Sequence, residues 1–233
     1  MAGCPMILKR LLRTSIPPSL TTPSTTEYFY SGTTLDGPKV GPVNGTTWDW
    51  WYFDAISSDL PSGDLSSVIV VFYNLSREAF LGRIQNDSIL LATISSSHAN
   101  NSNFIITIRP DDVYISTLDD SSSGQWGSGP SNASWSSTPD LRTWTVNFNT
   151  AVVNGSMKYS SVASPHLPCG LPTPGATEEI VLHIGWANAV PDAMGSVDFT
   201  INGTDLQLAE PGYHDKKWAN SRSLTARITG TGL

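Results

Sequence analysis

With 233 residues, a net charge of −7 and 39% hydrophobic content, the chain has room for a substantial core but little positive charge to hold phosphates. Nucleic acid and anionic membrane surfaces are thereby excluded as partners. No apolar run approaches the roughly 18 residues of a membrane-spanning helix, and two cysteines, Cys4 and Cys169, are too few for a thiolate-bound metal.

The first 26 residues, rich in Pro, Ser and Thr, are expected to form a flexible lead. Beyond them, β-branched and aromatic runs with frequent polar breaks, and no amphipathic helical pattern, predict an all-β chain. Predicted strands cover 48–56, 66–75, 88–96, 103–109, 112–118, 143–149, 151–160, 178–189, 195–201 and 204–210. Asn154-Gly155 and Asn202-Gly203 sit between β-rich runs and predict type I′ hairpin turns. Residues 119–140 and 164–179 read as long surface loops. About ten antiparallel strands point to a barrel or a barrel-like sandwich, and an up-and-down barrel of that size can hold one small apolar ligand.

Sequons begin at Asn44, Asn74, Asn86, Asn100, Asn132, Asn154 and Asn202, more than chance supplies. The amino-terminal stretch is a poor signal peptide because Lys9, Arg10 and Arg13 interrupt it. Cytosolic and secretory routes are equally open.

Three segments carry polar groups where a plain core strand would not. In "TTWDWWYFDAIS", 46–57, alternation puts Trp48, Trp50, Tyr52 and Asp54 on one face and Asp49, Trp51 and Phe53 on the other. Both faces are aromatic and both hold a carboxylate, which predicts one face in the core and the other lining a ligand site. In "EEIVLHIGWANA", 178–189, His183 and Gly185 share a face, and the glycine allows close approach to the backbone. In "GYHDKKW", 212–218, Tyr213, Asp215 and Lys217 alternate with His214, Lys216 and Trp218, the densest chemical cluster of the chain.

No nucleophile elbow, phosphate loop, dinucleotide fingerprint or His-Glu-x-x-His motif is present, and His98, His166, His183 and His214 lack metal-ligand spacing. No cofactor is implied, which leaves cofactor-free chemistry or binding of an apolar small molecule.

"WDWWYFDAIS" followed by "GYHDKKW" after "DFTINGTDLQL" resembles the lipocalin-like family that joins carotenoid 1,2-hydratases (hydroxyneurosporene synthase type) to the fungal Diels–Alderases. The resemblance covers about residues 28 to 218. It implies two lipocalin-like β-domains with a ligand pocket in or between them, of which this chain is expected to hold the first, with 219–233 an atypical tail. It also implies a cyclase that folds an apolar polyketide or terpenoid polyene for an intramolecular [4+2] cycloaddition. Tyr213, His214, Asp215, Lys216 and Asp54 become the candidate catalytic residues, and Trp50, Trp51, Tyr52, His183, Trp186 and Trp218 the candidate substrate wall. A hydratase protonating an alkene through Asp54, or through Asp215 with His214, is the alternative enzyme. An apolar-ligand carrier or inactive fragment is the non-enzymatic one.

Overall fold

The computed structural model describes residues 12–15, 23–57, 66–76, 78–79, 90–209 and 211–220. The described residues form strands and turns without a helix. In chain order the strands are β1 Leu12–Ser15, β2 Thr25–Thr26, β3 Val40–Gly41, β4 Trp48–Ile56, β5 Ser67–Leu75, β6 Leu90–Ser97, β7 Asn103–Ile108 and β8 Val113–Leu118. They continue as β9 Ser121–Trp126, β10 Asn132–Ser137, β11 Thr143–Asn149, β12 Val153–Ser161, β13 Glu179–Val181, β14 Ile184–Ile201, β15 Thr204–Leu208 and β16 Pro211–Ala219.

All but β2 and β3 belong to one antiparallel sheet, ordered β1-β8-β9-β10-β11-β12-β14-β16-β4-β5-β6-β7, with β13 and β15 added against β14. The sheet curls into a lipocalin-like half-barrel whose wings face each other across an aromatic interior. Trp126 on β9 lies 5.2 Å from Phe72 on β5, and Trp51 on β4 lies 4.8 Å from Trp135 on β10. Large, rigid rings fill such an interior with little loss of side-chain freedom. The segment 27–37 straps this curl, bonding Tyr30 to Ala176 and Asp36 to Asp120 through the backbone.

The Asn202-Gly203 turn is as expected: Asn202 at φ 49° and Gly203 at φ 78° close the β14–β15 hairpin. Three other expectations are corrected. Asn154 and Gly155 lie inside β12, and the hairpin turns earlier, beyond Asn149. Gly155 (φ 128°) is needed there because a Cβ would sit 2.0 Å from the Asp198 carbonyl oxygen. The 119–140 loop is largely the β9–β10 hairpin, since Trp126 and Trp135 are core residues and Gly124 leaves room for the Trp135 ring. The single strand over 178–189 is a tight hairpin, β13 to β14, and β14 runs on through the predicted 195–201 strand. Most of the expected lead falls outside the described residues, but Leu12–Ser15 pair with β8. The tail beyond residue 220 also lies outside them.

Candidate functional site

The two motifs meet by direct pairing. β16 lies between β14 and β4, with Asp215 opposite Tyr52 on one side and Asn188 on the other. Strand alternation then sorts their side chains onto an inner and an outer face.

On the inner face everything is sealed. His214 is 0% exposed, stacked 4.0 Å from Phe53 and tilted against Trp144 at 4.3 Å. Its Nδ1 is 2.8 Å from the Tyr52 carbonyl oxygen, which can only accept, so Nδ1 carries the hydrogen. Its Nε2 is 2.8 Å from Asp36 Oδ1, and one proton must therefore lie between imidazole and carboxyl. Ser122 donates to the other oxygen of Asp36 and accepts from Trp135 Nε1 at 3.0 Å. Lys216, also 0% exposed, pairs with Asp49 and lies 3.6 Å from the Trp51 ring centre. Burial lowers the Lys216 pKa and raises that of Asp49, each opposed by the charge of the other. Asp49 also accepts from the Lys39 amide at 2.8 Å, and Lys39 Nζ pairs with buried Glu178 at 2.8 Å.

The outer face is half-exposed and unfinished. Asp215 Oδ2 accepts from Trp186 Nε1 and the Tyr213 hydroxyl, each at 2.8 Å, and lies 3.3 Å from Lys217 Nζ. The Asn188 side chain hydrogen-bonds Tyr213 in turn. Tyr52 donates to Asp54, and the Tyr52 and Tyr213 rings meet edge to face at 6.2 Å. Burial, then the nearby carboxylates, push both phenols above their ordinary range. Burial also raises the pKa of Asp54; the Tyr52 bond opposes this and the Asp215 charge reinforces it. Trp50 packs edge-on to Tyr73 at 5.6 Å, and His166 lies 5.3 Å from Trp186.

Of the residues expected at a site, Asp54, Tyr213, Asp215, Trp50, Tyr52 and Trp186 thus share the outer face. His214, Lys216, Trp51 and Trp218 lie on the inner one, their charged and polar groups already engaged. The suggested pairing of Asp215 with His214 is corrected, because adjacent residues of a strand point to opposite faces and His214 takes Asp36 as its partner. His183 is corrected too: it is exposed at the β13–β14 turn with φ 64°, not on a strand face. The close approach expected at Gly185 is real, and what approaches is the Trp218 indole, 2.1 Å from where a Cβ would stand. The Tyr213 hydroxyl donates its one hydrogen to Asp215 in this arrangement.

Sequence reasoning missed Asp36, Asn188 and Asn74. Asn74 is only 1% exposed, directly across from Asp49, and neither end of its amide has a hydrogen-bond partner. The signal was visible: one carboxamide in the otherwise apolar run "VIVVFYNL". On the far wing, a depression of about 280 Å³ is lined by Tyr114, Ser116, Ser123, Gln125 and Ser134. Among the described residues no cluster of three or more His, Cys, Asp or Glu has the geometry to hold a metal ion.

The profile of a family described as Diels-Alderase-like matches residues 21–229. The quinolone epoxide rearrangement protein asqO of Emericella nidulans is 35% identical over 192 residues, covering 80% of this chain and 50% of that protein. The Diels-Alderase phmD of Phaeosphaeria nodorum is 28% identical over 195 residues, 82% of this chain and 52% of that one. The crystal structure of CghA with Sch210972 superposes with a TM-score of 0.69 at 19% identity, over 91% of this chain and 56% of that one, and so shares the fold. The chain spans about half the length of the curated relatives it matches.

Proposed function

Because the chain belongs to the Diels-Alderase-like family, we propose that it supplies the ligand-folding surface of a cofactor-free cyclase of secondary metabolism. Its substrate is a small apolar polyene of polyketide or terpenoid origin, closed by an intramolecular [4+2] cycloaddition. Such a reaction needs no base or nucleophile. Holding a flexible chain in one reactive conformer can remove several kcal/mol of the barrier, and a hydrogen bond to the dienophile carbonyl removes more. Trp50, Tyr52 and Trp186 provide the wall.

Asp54 provides the hydrogen bond, and one observation carries this assignment. The Tyr213 proton goes to Asp215 and that of Tyr52 to Asp54, and burial raises the pKa of Asp54 on the half-exposed face. In this reading the protonated form of Asp54 donates to the substrate carbonyl through the oxygen that Tyr52 does not occupy. His214 and Lys216 serve as scaffold behind this surface, not as reactants.

The same raised carboxyl favours a second reading, an acid-assisted reaction. Alkene hydration through Asp54 is one form; an epoxide rearrangement, the reaction in the names of the two 35%-identical relatives, is another. One experiment separates cycloaddition from hydration. In the source organism the gene is replaced by wild type, by Asp54→Asn or by Trp186→Ala, and metabolites are compared after growth in 18O-labelled water. A pericyclase gives product without new 18O, with slower turnover in Asp54→Asn and a mixture of diastereomers in Trp186→Ala. Incorporation of water oxygen would establish hydration instead, and an unchanged metabolite profile in both variants would remove the chain from the reaction.

A further inference from the structure

The sequons play no part in the ligand face, and the fold sorts them. Asn74 is 1% exposed inside β5, where a sugar has no room. Asn132 and Asn154 commit their amide nitrogens to the Gly129 carbonyl oxygen at 3.0 Å and to Asn149 Oδ1 at 3.3 Å. In Asn44-Gly45-Thr46 the Thr46 hydroxyl turns away to the Asn220 carbonyl oxygen at 3.3 Å. At the exposed Asn202 the hairpin carries Thr204 off into β15, opposite Ile201.

Asn100 differs. It is exposed in the turn between β6 and β7, and its Oδ1 accepts from the Ser102 amide at 2.9 Å and the Ser102 hydroxyl at 2.6 Å. Its Nδ2 has no partner among the described residues. Such an Asx turn joins near neighbours in the chain, so it needs no tertiary contact and can form while the chain is still being made. Two donors on Oδ1 stabilise the negative charge that builds there when Nδ2 gives up a hydrogen. The same turn leads into β7, which ends the sheet order and carries Ile105 at 79% exposure. A free apolar edge invites pairing with another chain, and bulk beside it prevents this.

We propose that Asn100 is an N-glycosylation site and that its glycan shields the free edge of β7. The donor is an oligosaccharide linked to a lipid diphosphate. Nδ2 forms a bond to the anomeric carbon, and the bond from that carbon to the phosphate oxygen breaks. The lipid diphosphate leaves with the electron pair, and the amide hydrogen goes to a base of the transferase. The proposal puts the chain on a secretory route, in keeping with its excess of sequons. It is independent of the ligand face, which lies on β4, β14 and β16.

The test uses the full chain, tagged at its own locus in the source organism and purified from cells and medium. Peptide-N-glycosidase in 18O-labelled water turns each glycosylated asparagine into 18O-labelled aspartate, which peptide mass spectrometry reads. Label at Asn100 and none at Asn74 is the expected result. Ser102→Ala should lose the label at Asn100 and Ser102→Thr should keep it; retention in Ser102→Ala contradicts the part given to the Asx turn. An unlabelled Asn100 in the wild-type chain overturns the proposal whatever the variants do. Label at Asn74 in the folded chain contradicts the sorting by burial. Light scattering tests the shielding: enzymatic removal of the glycan should make the chain self-associate at lower concentration, and unchanged behaviour overturns that role.

Discussion

The two faces of the β4–β16 pair are built from the same two short motifs and have opposite character. Behind the sheet, the polar groups of His214, Asp36, Lys216 and Asp49 close on one another in a dry, ring-lined interior. In front, Asp54, Tyr52, Tyr213, Asp215 and Asn188 are half-exposed or stop short of closing. One residue of offset along a strand separates a fully buried network from a half-exposed one. The half-exposed one is the face we propose as the ligand site, because its side chains can be reached from outside. Neither aromatic content nor hydrogen-bond closure alone distinguishes the two faces, since the Asn74 amide and Glu178 Oε2 are open on the inner side; exposure does.

Breaking the inner face should cost the fold. Lys216→Met leaves the Asp49 carboxylate buried and unpaired and is expected to destabilise by about 3–5 kcal/mol in urea unfolding. The double variant with Asp49→Leu should recover most of that loss. Breaking the outer face should cost chemistry instead. Asp54→Asn is expected to slow cyclisation about 10²-fold with little change in unfolding midpoint.

The pH profile sharpens the same contrast. The proposed role of Asp54 requires its protonated form and its pKa is raised, so wild-type turnover should be highest at low pH and fall as pH rises through that pKa. The fall should be missing in Asp54→Asn. A carboxyl held more tightly protonated in the fold also contributes stability below its unfolded pKa that is lost as pH rises through the folded one. Asn74→Leu removes an unpartnered amide from the interior and should stabilise the ligand-free chain by about 1–2 kcal/mol. The smallest effect is that of Tyr52→Phe. It removes the bond that pulls the Asp54 pKa down, and should move the falling limb of turnover to higher pH.

The sequence made much of this readable because a strand has a period of two. The separation of Asp49–Trp51–Phe53 from Trp50–Tyr52–Asp54 follows from spacing alone, as does the split of Tyr213 and Asp215 from His214 and Lys216, but which set faces inward does not. What spacing cannot supply is partnership across the sheet. Asp36 lies in a strap far from His214 in the chain, and the Asn188–Asp215 pair exists only through the register of β14 on β16. The β9–β10 hairpin was hidden for another reason. Its serines and glycines match loop composition, and only Trp126 and Trp135 record that one face is buried. His183 was misplaced because "EEIVLHIG" alternates well enough for one strand, whereas its backbone turns over at that residue.

The claim that the ligand lies on the outer face is tested most directly by polyene binding. All-trans-retinol would be titrated by fluorescence into the wild-type chain, Trp186→Ala on the outer face and Phe53→Leu on the inner one. Binding weakened about tenfold or more in Trp186→Ala and held within about twofold in Phe53→Leu is the expected result. Unchanged affinity in Trp186→Ala, with loss in Phe53→Leu, would place the ligand inside the barrel and contradict the assignment.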